Sequence, residues 1–247
     1  IMFYDLKLRA SQKKFEYLKI LICLNPLIFS LIVIFTDFID YKGAFESIEY
    51  ISIAQNWLNY SSGDVLIRRL PMYPIFISFI FKIFGNNNLV ALLISQSFLG
   101  FLTFFYLIKT LEKLKLGNSL IILLTLLFNL SINFRFSLFL PNCFFMFLIT
   151  LFMYNFTNFF LSKNKKYFYF MSLFIFLMML TRPIFQLSIV LTFPIIIFFV
   201  LKQNFSKVLK FKLISVLILS YFLSIGVQYA RYYNAHENFA YTAQSGR

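Results

Sequence analysis

Residues 140–161 read LPNCFFMFLITLFMYNFTNFFL. The stretch holds no Asp, Glu, Lys or Arg, and it closes on Ser162-Lys163-Asn164-Lys165-Lys166. Coiled as an α-helix it is about 33 Å long, the depth of a bilayer's hydrocarbon core. Apolar and polar residues do not alternate, so a barrel strand is a poor fit. A helix that is apolar all round must be buried in a large protein interior or in lipid. Composition decides between the two. Of 247 residues, 60% are hydrophobic and only 13% charged, with a mean hydropathy of +0.80. Soluble domains carry about twice that share of charge, and disordered chains far less oil.

The same reading extends outward. Apolar runs recur near 18–36, 88–108, 119–137, 167–181, 184–201 and 211–230. With 140–161 they make about seven crossings, and the fold class expected is all-α: a polytopic transmembrane helical bundle. Arg182-Pro183 falls between two of the runs, where proline favours a helix start after a tight turn. Residues 37–87 form a long mixed segment between the first and second crossings.

Basic residues orient such a chain, because they stay preferentially on the cytoplasmic side. An inside N-terminus places Lys7, Arg9, Lys13, Lys14 and Lys19, Lys109, Lys113 and Lys115, Lys163, Lys165 and Lys166, and Lys202, Lys207, Lys210 and Lys212 on one side. The chain is then an integral, multi-pass membrane protein with a cytoplasmic N-terminus. The net charge of +14 is mainly a topology signal. Its lysines are scattered over short loops rather than gathered on one surface, so no nucleic-acid partner is expected. The opposite side carries only Lys42 and Lys82 but six arginines: Arg68, Arg69, Arg135, Arg182, Arg231 and Arg247. Topology has no need of that preference. Arginine's planar, permanently charged fork suits phosphate, and Asp37, Asp40, Glu46, Glu49, Asp64 and Glu237 share that side.

Residues 46–60, ESIEYISIAQNWLNY, have the period of an amphipathic helix. Tyr50, Ile51, Ile53, Ala54, Trp57 and Leu58 lie on one arc; Glu49, Ser52, Gln55, Asn56 and Asn59 lie on the other. Such a helix rests in a membrane interface with its Trp at headgroup depth. Glu46 falls at its N-terminus, where the dipole favours an anion. Arg68-Arg69-Leu70-Pro71-Met72-Tyr73-Pro74 then leads into an apolar helix. Cys23 and Cys143 sit in apolar runs and make no disulfide framework. His236 is the single histidine, so no histidine metal site is expected.

The order Glu46-Ser47-Ile48-Glu49-Tyr50 with Ala54, then Gly63, then Arg69-Leu70-Pro71-Met72-Tyr73-Pro74 resembles the GT-C membrane glycosyltransferases. The similarity is to the branch that holds dolichyl-phosphate-mannose protein mannosyltransferases and bacterial lipid A aminoarabinose transferases. Gln96, Arg182-Pro183, Arg231-Tyr232-Tyr233-Asn234 and Gln244-Ser245-Gly246 are further echoes. The resemblance runs from about residue 18 to the end. It implies that residues 1–247 are the N-terminal part of a GT-C-like transmembrane domain, with later crossings and any outer soluble domain absent. It also implies a bacterial inner (plasma) membrane setting. Two departures stand out: Glu46 where the family has Asp, and Asn142 where members often carry Glu.

What the resemblance implies is transfer of a sugar from a polyprenyl-phosphate-linked donor to a lipid, glycan or protein acceptor at the outer face. Glu46 is then the catalytic base or the group that positions a divalent cation, and Asp40 its substitute. No metal ligand is assigned beyond that, and no cofactor is firmly implied. Arg68, Arg69, Arg182 and Arg231 are the candidates for binding the phosphate, with Tyr50 and Tyr73 lining the pocket. Physical chemistry points the same way. Arginines stabilise a phosphate leaving group, and a carboxylate within hydrogen-bond reach takes the acceptor's proton. Two other readings compete: a polytopic transporter or lipid flippase, and an inactive GT-C scaffold.

Overall fold

The computed structural model describes the backbone of residues 2–36, 45–58, 69–136 and 139–236. Among these residues there are helices and turns and no strand. The helices are α1 (Met2–Thr36), α2 (Phe45–Leu58), α3 (Met72–Phe84), α4 (Leu89–Lys113), α5 (Asn118–Phe136), α6 (Pro141–Ser162), α7 (Lys165–Met179), α8 (Pro183–Lys202) and α9 (Lys207–His236). Every apolar run in the sequence lies within, or within two residues of, one of these helices. Four of them (Lys14–Thr36, Leu89–Lys113, Pro141–Ser162 and Lys207–Arg231) are long and apolar enough among the described residues to cross a bilayer. This is a polytopic helical bundle. In lipid the backbone must satisfy its own hydrogen bonds, and helices do that within one segment.

Local chemistry sets the ends. Asn88 and Asn164 accept from the backbone N–H groups of Ala91 and Lys166, capping α4 and α7. Pro141 and Pro183 open α6 and α8. Lys163 closes α6 in the left-handed region, φ 57°. One difference from the sequence expectation has a simple cause. α1 starts at Met2 rather than near 18, because Leu, Lys, Arg, Ala, Gln and Glu in the polar lead are good helix formers. The mixed segment 37–87 holds α2 and, directly after Pro71, the apolar helix α3 that the sequence leads one to expect.

α4 is the centre: it packs against α1, α3, α5 and α6. α6 lies on α7, α7 on α8 and α9, and α2 on α3. One apolar core joins Val33, Tyr50, Ala54, Tyr73, Ile77, Phe139, Phe144 and Met178; a smaller one joins Ile22, Cys23, Phe104, Ile108, Ile121 and Cys143. Outside them, Ile32, Phe35, Phe98, Leu191, Val208 and Phe211 are exposed, as expected of side chains that meet lipid tails.

Candidate functional site

The site is assembled at the arginine-bearing end of the bundle by one backbone junction. The first N–H of a helix has no partner inside its own helix. In α3 that donor, the Met72 N–H, reaches the Leu180 carbonyl in the α7–α8 turn at 3.1 Å. The bond ties the Arg69–Met72 segment to Arg182. Arg182 precedes a proline, which pushes it to extended backbone (φ −138°, ψ 123°). Its guanidinium donates to the Asn142 side-chain carbonyl at the start of α6. Asn142 is thus an arginine's acceptor at this end of α6.

α2 lies against this junction. Ser47, Tyr50, Ile53 and Ala54 are its buried stripe, at the spacing of one helix face. Ile51 and Trp57 are half-buried, and Ile48 is exposed. Glu46 and Glu49, three residues apart, sit on one side of the helix, and both meet Arg69. Arg69 Nε donates to Glu49 Oε2 at 2.8 Å, while its Nη2 lies 3.9 Å from Glu46 Oε1. The guanidinium also covers the Tyr50 ring, 5.4 Å from its centroid. Burial works against the Arg69 charge. The hydrogen bond that Arg69 donates to Glu49 and the electrostatic pull of Tyr50, Glu49 and Glu46 more than offset it, so the group is held above its ordinary range.

Under Arg69 the packing is aromatic. Tyr50 meets Tyr73 edge-on at 5.1 Å, and Tyr73 stacks toward Phe76 at 6.2 Å. Tyr73 is fully enclosed, and Gln96 Nε2 donates to its hydroxyl at 2.6 Å. Cys143 Sγ donates to the Gln96 carbonyl at 3.2 Å. Desolvation pushes the Tyr50 phenol up; Arg69 and then Arg182 pull it down, and Glu46 and Glu49 add to the rise. Burial thus outweighs the pull of the two arginine charges on Tyr50.

Arg231, near the end of α9, closes the other side. Its Nη2 donates to the Arg69 carbonyl at 3.4 Å, its Nη1 to Gln228 Oε1 at 3.4 Å, and its guanidinium lies 5.7 Å from the Trp57 ring centroid. So Glu46, Tyr50, Arg69, Tyr73, Arg182 and Arg231 meet at one end of the bundle. Asp40 and Arg68 lie outside the described residues, as does the Arg135 side chain. Glu49 is what the sequence reading left on a polar arc without a task. The signal for it was the spacing from Glu46, which puts a second acid on the same side of the helix.

A divalent cation is a poor fit to this donor set. Among the described residues no group of three or more His, Cys, Asp or Glu side chains comes together. The two carboxylates present already face a guanidinium, which a hard cation would have to displace.

The segment that carries this junction also carries the likeness to known proteins. Residues 68–227 match the family described as dolichyl-phosphate-mannose-protein mannosyltransferase, well over half of the chain. The chain belongs to this family. It is accordingly a membrane glycosyltransferase of the mannosyltransferase-like kind, with the apolar helices such an enzyme needs. Membership implies a lipid-linked sugar donor and an acceptor. The match takes in Arg69, Tyr73 and Arg182; Glu46 and Tyr50 precede it, and Arg231 follows it. Neither the curated proteins nor the solved structures yield a match.

Proposed function

We propose that the protein transfers a sugar from a polyprenyl-phosphate donor to an acceptor hydroxyl at the outer membrane face, with Arg69 and Glu46 as its working pair. One observation carries the reading. Arg69 is anchored by an inner carboxylate, Glu49, and an outer one, Glu46, stands beside it at 3.9 Å with 53% of its side chain exposed. The inner acid orients the guanidinium. The outer acid, though it faces Arg69, is open enough to meet a substrate.

In this reading the donor phosphate enters between Arg69 and Arg182, where two guanidinium groups supply forked donors. The acceptor oxygen attacks the anomeric carbon, its proton passes to Glu46, and the bond from that carbon to the phosphate oxygen breaks. The lipid phosphate leaves with one more negative charge, and the arginines stabilise that charge as it develops. Glu49, Tyr50 and Tyr73 hold Arg69 in place, and Arg231 holds the backbone that carries it. Orientation follows from the charge split: the arginine end faces outward and the lysine end faces the cytoplasm. The acceptor is a lipid, a glycan or a protein.

The test uses membranes that contain the full chain and a polyprenyl-phosphate donor with a radiolabelled sugar. Labelled acceptor together with free lipid phosphate is the expected result. Movement of intact donor across the membrane without any glycosylated product would make the protein a lipid transporter instead.

A further inference from the structure

At the lysine end, about 24 Å along α4 from Gln96 to Glu112, α1 and α4 enclose a groove of about 210 Å³. Its floor is apolar: Ile20, Cys23, Phe101, Phe105 and Ile108. Its rim is a chain of ion pairs. Lys19 Nζ lies 2.8 Å from both Glu16 Oε1 and Glu112 Oε1, and Lys109 Nζ lies 3.3 Å from Glu112 Oε2. The site above uses none of these residues.

The rim is electrically neutral, two lysines against two glutamates, but its charges are unequally available. Lys19 and Glu112 each hold two partners and lie inside the rim, with side chains 7% and 28% exposed. Glu16 and Lys109 are open, at 63% and 48%. The groove therefore presents one carboxylate and one ammonium above an apolar slot. We infer that it binds one phospholipid of the ethanolamine class, an acyl chain in the slot and the zwitterionic head across the rim. Lys109 takes the phosphate, and Glu16 accepts hydrogen bonds from the primary ammonium. The head chemistry selects among lipids. A choline head has no N–H to donate to Glu16. An anionic glycerol head brings no ammonium to Glu16, which keeps Lys19 alone. Tails alone discriminate nothing, since apolar burial is non-directional.

The full chain, purified in detergent, is incubated with vesicles of equal phosphatidylethanolamine, phosphatidylcholine and phosphatidylglycerol. It is then re-isolated, and the bound lipid is counted by native mass spectrometry. One phosphatidylethanolamine per chain is expected, about ten-fold over either competitor, a preference of about 1.4 kcal/mol. Glu16→Gln with Lys109→Gln, both at open positions, erases the preference with helical circular dichroism unchanged. Ile20→Trp, which fills the slot and leaves the rim intact, lowers retention of all three lipids. Equal retention of the three by the unaltered chain, a preference for phosphatidylglycerol, or a preference that survives the double substitution would overturn the inference. The readout is bound lipid rather than sugar, so it stands or falls apart from the transfer reaction.

Discussion

Arg69 and Glu49 are joined by a 2.8 Å hydrogen bond from Nε to Oε2, with side chains only 17% and 23% exposed. An ion pair so enclosed is held by both partners, and losing either leaves a charge without compensation. Glu49→Leu is expected to destabilise the protein by about 1–3 kcal/mol. Arg69→Leu does the same, and the double variant recovers part of the loss. A double-mutant cycle on thermal midpoints checks this, with a coupling of about 0.5–3 kcal/mol expected. Strict additivity would show that the pair holds nothing in place.

Tyr50 predicts an alkaline limit. Its phenol is pushed above the ordinary value of 10.0 by burial, so the folded protein keeps its proton where the unfolded chain gives it up. Below pH 10 both states are protonated and the residue adds no pH dependence. Above pH 10 the folded state binds more protons than the unfolded one, so stability falls until the folded phenol ionises. Thermal midpoints measured between pH 8 and about 11 should fall at the alkaline end. Tyr50→Phe should remove part of that fall and leave the plateau between pH 8 and 9 flat.

Trp57 is the single tryptophan, and the Arg231 guanidinium lies 5.7 Å from its ring centroid. Its emission thus reports on α9 against α2. Arg231→Ala should shift that emission and, by freeing the Arg69 carbonyl, slow sugar transfer by about ten-fold, the effect of losing about 1.4 kcal/mol of positioning. Arg231→Lys should restore neither, because an ammonium lacks the planar fork that reaches ring and carbonyl together.

The helices were legible in the sequence because the bilayer demands long, uncharged, self-satisfied segments, and 140–161 or 211–230 have few other ways to fold. The arginine end was legible because topology does not explain why Arg rather than Lys gathers there. The pairing inside it was not. Glu46 and Glu49 stand three residues apart on one helix, and their order around Arg69 depends on how α2 lies on α3, a tertiary choice that periodicity does not encode. The Met72–Leu180 backbone bond, which ties Arg182 to the site, likewise leaves no mark in side-chain pattern. Nor does the α1–α4 groove, since Lys19 and Glu112 are far apart along the chain.

Orientation has its own check. Ile48 is exposed on α2 and Lys163 closes α6 at the other end of the bundle. With Ile48→Cys and Lys163→Cys introduced singly, a membrane-impermeant maleimide added to intact cells should label the first. It should reach the second only after permeabilisation. The buried Cys23 and Cys143 are a quiet background.

Glu46 is the proposed acid that takes the acceptor's proton beside Arg69. The direct measurement is the rate of sugar transfer from a polyprenyl-phosphate donor by Glu46→Gln, which keeps shape and loses the base. A fall in kcat of about 10²-fold or more is predicted, with the donor KM little changed because Glu49 still holds Arg69. Transfer at the unaltered rate by Glu46→Gln would contradict the account.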